Sequence, residues 1–180
     1  MREFDSSQVL YRLAFASGMR AANRASQSTD LGGDAERNAR SFDACIEAVV
    51  LLQASAEAWV FRLFETRGVE PRGKTWLGRW DGLAHVAQAQ GRSMRSLSKE
   101  SRDLLEEVSR IRNFLMHGDL RSRQRLEGWA GDRDLHDILT YQYIAMLFQR
   151  AEALWKEARD ITGASTPFFA SAWIAADEFQ

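Results

Sequence analysis

An all-α fold, an up-and-down bundle of four to five helices, is what the sequence predicts, on three observations. Apolar residues recur at alternating four- and three-residue intervals over long stretches, which is the period of a helix. No segment sustains the two-residue alternation of a strand, and the periodic stretches end at helix-stopping residues, Gly68 with Pro71 and Gly118. With 180 residues, 45% of them apolar, the chain is long enough to bury one sizeable core and too short to argue for several, so 1–180 reads as a single domain with 164–180 as a C-terminal tail.

A first helix runs from Ser6 to about Ala25, with Val9, Leu13 and Ala16 expected inward, and a polar Gly-Gly loop follows around residues 27–36. The longest signal is Phe42, Ile46, Val49, Gln53, Ala56, Val60 and Leu63, one stripe down a helix of about seven turns. Trp76, Trp80, Leu83 and Ala87 mark a shorter helix. Ser98 is placed to cap the next, which carries Leu104, Val108, Ile111 and Leu115 on its core face and stops at Gly118. A basic loop and a Gly-Trp-Ala-Gly turn lead to a final helix capped by Asp132, with Ile144, Leu147, Ala151, Leu154, Ala158 and Ile161 in register. The tail from Thr166 to Gln180, with Pro167, Phe168, Phe169 and Trp173, is apolar but irregular and is expected to cover a groove on its own chain or on a partner.

Twenty-four Lys and Arg against 25 Asp and Glu exclude binding of polyanions by bulk charge, so any nucleic-acid contact must be local. The local candidate is the run Arg121-Ser122-Arg123-Gln124-Arg125, whose arginines could hold RNA phosphates; an ordinary solvated loop is the alternative. The single Cys45 has no disulfide partner and reads as a small buried hydrophobe, which suits a reducing cytoplasm. The N-terminus turns acidic at once and shows neither a signal peptide nor a membrane span, so a cytoplasmic protein with no membrane partner is expected.

The chemistry concentrates in Arg112-Asn113-Phe114-Leu115-Met116-His117-Gly118. A guanidinium grips phosphate through paired hydrogen bonds, and an imidazole gives or takes a proton near neutrality. On an ideal helix, at about 100° per residue, Asn113 and His117 lie about 40° apart and roughly opposite the core stripe, while Arg112 lies about 140° around from His117. Either the helix end bends or a second copy completes the site. Phe114 and Met116 flank the Asn113/His117 face, which suggests a two-fold dimer burying both and bringing two Arg112/His117 sets into one cleft. Asn113 would orient His117 or hold Arg112.

His85 and His136 read as surface histidines, and no second His or Cys stands at ligand spacing from His136 and its neighbouring aspartates, so no metal site and no cofactor is expected. Gly68-Val69-Glu70-Pro71-Arg72-Gly73-Lys74-Thr75 fits the nucleotide P-loop pattern letter for letter. Its context argues for an interhelical turn instead, because a polar helix end leads in, and neither a magnesium-binding Asp after an apolar run nor further strand–helix units follow.

Arg112-Asn113-x-x-x-His117 resembles the arginine–histidine signature of the HEPN superfamily, including the polar residue that commonly follows the arginine. The close likeness covers six or seven residues and, more loosely, the all-α arrangement; the helix bearing Glu57 resembles an earlier family helix that often carries an acid. The resemblance implies a metal-independent endoribonuclease, usually an obligate dimer and frequently the toxin of a toxin–antitoxin or phage-defence system. His117 would serve the ribose 2′-OH, Arg112 would stabilise the phosphorane-like charge and Asn113 would position one of them, leaving a 2′,3′-cyclic phosphate. One branch of the family carries a tyrosine two residues after the histidine; Asp119 stands there in this chain, which speaks against modification of that tyrosine by an antitoxin. A non-catalytic helical interaction module, an antitoxin or adaptor, is the competing reading.

Overall fold

The computed structural model describes residues 5–26, 34–71, 73–118, 120–131 and 133–167, with backbone alone for 26, 34–40, 120–122 and 125. The described residues form α1 (Ser6–Ser26), α2 (Asp34–Arg67), α3 (Trp76–Asp81), α4 (Leu83–Ala89), α5 (Lys99–His117), α6 (Leu120–Ala130), α7 (Leu135–Ile138) and α8 (Tyr141–Thr162), with no strand among them. The all-α class is as the periodicity predicts. The count exceeds four to five because short pieces fall between the long helices α1, α2, α5 and α8.

α2 is the central element. Its predicted stripe is buried from Val49 through Leu63, and Ala44, Cys45, Ala48, Leu52, Trp59 and Phe64 are buried as well, so more than one face meets the bundle. A stretch of α2, Ser41–Arg67, is long and apolar enough to cross a bilayer, yet 56% of its most apolar window is buried by the rest of the chain, the arrangement of a core helix. Burial also pushes the Cys45 thiol up from 9.0 to about 11. The helix begins at Asp34, so residues 34–36 belong to it rather than to the preceding loop.

The phase expected for α1 is corrected. Tyr11, Ala14 and Ala21 are buried with Ser7 and Ser17, whereas Val9 and Leu13 are 37% and 49% exposed. Close approach selects small residues over large apolar ones here: a Cβ on Gly18 would sit 3.0 Å from both Ile144 and Phe148 of α8. Two serines of α2 tie the helices, since the Ser55 hydroxyl donates to the Ser7 carbonyl at 2.7 Å and Ser41 to that of Ala21 at 3.1 Å.

Trp59 of α2, Trp80 of α3 and Trp155 of α8 meet in the core at ring separations of 5.1–5.6 Å, with Tyr11 edge-on to Trp155. The single helix expected over Trp76–Ala87 is divided at Gly82, which closes α3 and opens α4; a Cβ there would meet the Phe64 ring at 3.0 Å. His85 is half-buried with Nδ1 enclosed and unpartnered, not a surface histidine. His136 is exposed and stacks on Phe42 at 3.8 Å.

α5 and α8 follow their predicted stripes. Leu104, Val108 and Ile111 are buried, Leu115 packs half-buried on the core, and all six α8 positions are buried. Ser98 caps α5, and Gly118 ends it at φ +57°. The basic run is not a loop but part of α6, and Gly128, Trp129 and Ala130 complete that helix before Gly131 turns the chain at φ +66°. Asp132 lies outside the described residues; Asp134 caps α7 and Thr140 caps α8, so the expected final helix is preceded by a separate turn. At the far end, Thr166 and Pro167 are buried and Trp59 donates its indole N–H to the Ser165 carbonyl at 2.8 Å, while residues 168–180 lie outside the described residues.

The start of α5 is held by Glu157 of α8. Its carboxylate accepts from the Ser98 N–H and hydroxyl, both at 2.8 Å, and from the Ser101 hydroxyl at 2.6 Å. Glu157→Ala removes all three bonds and is expected to cost about 2 kcal/mol, read as a lower urea midpoint at unchanged m-value. A midpoint equal to wild type would show that the clamp contributes nothing.

Candidate functional site

The apolar stripe fixes how α5 is rotated and therefore what it shows outward. At about 100° per residue, Glu106, Arg110, Asn113 and His117 fall within about 60° of arc, nearly opposite Leu104, Val108, Ile111 and Leu115. Past Gly118 the chain doubles back in α6, whose Gly128 and Trp129 lie alongside the earlier turns of α5. Together with Leu77 of α3 they wall an open cleft of about 680 Å³ floored by Glu106, Ser109, Arg110 and Asn113. His117 continues the same polar stripe beyond the cleft, one turn past Asn113.

α5 runs as one helix through His117. The Arg112 guanidinium meets the Asn113 amide, where Nη1 donates to Oδ1 at 3.2 Å, and makes no bond to His117. Asn113 Nδ2 in turn donates to the Ser109 hydroxyl at 3.4 Å, at the long end of hydrogen bonding. Asn113 therefore holds Arg112, one of its two expected roles. It makes no hydrogen bond to His117, which is exposed on the last turn. Among the described residues Arg112 makes no ion pair, its partner being the neutral amide, whereas Arg110 pairs with Glu106 at 2.7 Å.

The remaining expected residues are not gathered. Phe114 is half-buried against this chain's own core, while Met116 is 57% exposed. Arg123 is exposed on α6; Arg121 and Arg125 belong to that helix, but their side chains lie outside the described residues, as does Asp119. Glu57 is half-buried on α2 and forms no hydrogen bond or ion pair with Arg112, Asn113 or His117. The Gly68–Thr75 segment leads from α2 into the six-residue α3, with no strand among the described residues to support a phosphate loop, and Arg72 lies outside them. Thr75 instead caps α3 by accepting from the Gly78 N–H at 3.1 Å, and Gly73 is bare because a Cβ would meet Gly78 at 2.7 Å. Among the described residues no group of three or more His, Cys, Asp or Glu could hold a metal ion.

Six cleft residues are not among the site residues expected from the sequence: Leu77, Glu106, Ser109, Arg110, Gly128 and Trp129. The i, i+4, i+7, i+11 spacing of Glu106, Arg110, Asn113 and His117 is the signal that could have found two of them. Comparison of the chain with protein-family models, with curated proteins and with solved structures finds no match.

Glu106 and Glu107 are neighbours with different surroundings. Glu107 is buried, accepts from the Tyr143 hydroxyl at 2.5 Å and pairs with Arg150 at 2.7 Å. Burial, then the Glu107 carboxylate, raises Tyr143 well above the ordinary phenol value, which keeps it a donor. Glu107→Ala leaves a half-buried phenol and a partly exposed guanidinium without their carboxylate partner and is expected to cost about 2 kcal/mol. Glu106→Ala loses only an exposed i,i+4 pair and should cost about 0.5 kcal/mol or less. Denaturant melts of the two variants check the contrast, and equal losses would refute the structural division between these carboxylates.

Proposed function

We propose that the protein is a metal-independent endoribonuclease of the HEPN type, a toxin or phage-defence effector working in the cytoplasm. The observation that carries the reading is the Arg112–Asn113 bond: it ties a guanidinium that has no ion pair among the described residues to Asn113, a member of the polar face of α5 that ends at exposed His117. Geometry of this kind suits a phosphodiester. His117 takes the proton of a ribose 2′-OH, the 2′ oxygen forms its bond to phosphorus, and the bond to the 5′ oxygen breaks as that oxygen gains a proton. A 2′,3′-cyclic phosphate and a 5′-hydroxyl remain. Arg112 offsets the charge that builds on the phosphoryl oxygens, and Asn113 keeps it in place. Arg123, with Arg121 and Arg125 of the same helix, would hold flanking phosphates.

The test uses total RNA with EDTA present. Wild type is expected to cleave, and Arg112→Ala and His117→Ala to lose about a hundredfold or more. Wild type as inert as both variants would falsify the ribonuclease reading. The competing reading, a non-catalytic interaction module such as an antitoxin or adaptor, is favoured by one observation, the exposure of Val9 and Leu13 on the outer face of α1. Induced expression separates them: a toxin arrests growth unless His117 is replaced, and an adaptor does not.

A second copy would complete the site, stacked along the exposed end of α5. Met116 is the residue to probe, since a charge at Phe114 would damage the chain's own core. Met116→Asp is expected to lower both the dimer fraction in light scattering and the cleavage rate. Unchanged mass with full activity would exclude the composite site.

A further inference from the structure

The cleft beside the motif carries chemistry that the cleavage step does not use. Glu106 and Arg110 stand one helical turn apart on its floor, joined by a single bond between Arg110 Nη2 and Glu106 Oε2 at 2.7 Å. Each carboxylate oxygen has more than one lone pair, so both remain able to accept, and the guanidinium keeps further N–H groups to donate. Both side chains are accessible, at 44% and 35% exposure. The pair therefore presents, in order, acceptor, acceptor, donor, donor. Trp129, half-buried in the wall, offers a ring on which a flat group can stack, and Gly128 leaves the mouth open, with nothing within 4 Å of where its Cβ would be.

We propose that this cleft is a nucleobase subsite selective for guanine, held by Glu106 and Arg110 and stacked on Trp129. Guanine alone among the RNA bases sets two adjacent donors, N2–H and N1–H, beside two acceptors, O6 and N7, along one rim. A carboxylate takes the donors and a guanidinium gives to the acceptors. Cytosine can satisfy the same pair with one donor fewer and a smaller ring to stack. Adenine and uracil alternate donor and acceptor and leave a charged group unmatched. The cavity has room for a purine with water beside it. Arg110 precedes His117 by seven residues, about 10 Å along the helix. A guanine in the cleft thus belongs to a nucleotide near the one whose phosphate reaches Arg112 and His117. The inference rests on the ribonuclease reading for the identity of its natural ligand, yet the subsite is separable from cleavage.

Binding is measured by fluorescence anisotropy with labelled 2′-deoxy tetranucleotides, which the 2′-OH route cannot cut, bearing one guanine, adenine, cytosine or thymine on a common background. Wild type is expected to hold the guanine probe at least about tenfold more tightly than the others. Glu106→Gln removes the double acceptor and should erase the preference. Gly128→Leu, which suits a helix better than glycine, fills the mouth and should weaken every probe. Equal affinity for the four probes, or a guanine preference that survives both substitutions, overturns the subsite. Selective binding by a protein that cleaves no RNA would sustain the subsite and sink the nuclease. Cleavage without guanine selectivity would do the reverse.

Discussion

The clamp of Glu157 on Ser98 and Ser101 is the interaction on which the placement of α5 depends. A helix start leaves backbone N–H groups unsatisfied, and the Ser98 side chain answers one by accepting from Ser101 N–H. Glu157 then binds the cap itself, which fixes α5 against α8 in position and rotation together. Arg92, on the chain leading into α5, reinforces the seam by donating to the Asp160 and Ile161 carbonyls at the end of α8. With the start pinned and Leu104, Val108 and Ile111 buried, the opposite face has only one direction to point. The cleft and the exposed His117 are both consequences of that rotation.

What could be read in the sequence follows from how much of each element is decided locally. The stripes of α5 and α8 and the stops at Gly68 and Gly118 were legible, because large apolar residues at helical spacing and glycine at a left-handed turn act within one element. α1 was legible as a helix but not in phase. Its inward face is set by how closely α2 and α8 approach, a tertiary demand met by Ala14, Gly18 and Ala21 rather than by Val9 and Leu13. The basic run reads as a loop because it has no apolar period of its own. Leu126 and Ala130, buried on one side of α6, are what hold it helical.

The candidate site divides along the same line. Arg112, Asn113 and His117 stand close in sequence, and a helical wheel placed Asn113 with His117. The wheel sets Arg112 well around from His117, and in the structure its guanidinium bonds the adjacent Asn113 amide and not the imidazole. The cleft was out of reach from α5 alone. It needs Gly128 and Trp129 of α6 and Leu77 of α3, brought beside Glu106 by folding.

The charges along α5 give the arrangement its internal logic. The C-terminal turn of a helix carries partial negative charge, which repels a bare phosphate from the end where His117 stands. An anion is held there only if a cation offsets that field. Arg110 is poorly suited, because Glu106 already compensates it at 2.7 Å. Arg150 is spent on buried Glu107. Among the described residues Arg112 has the neutral amide of Asn113 as its partner and no ion pair, so its charge is not cancelled by them. Swapping the partners would reverse the roles: a carboxylate at position 113 would neutralise Arg112 and leave the helix end repulsive. The identity of residue 113 as an amide, which accepts from the guanidinium without cancelling it, is thus the electrostatic condition for any anion chemistry at this site.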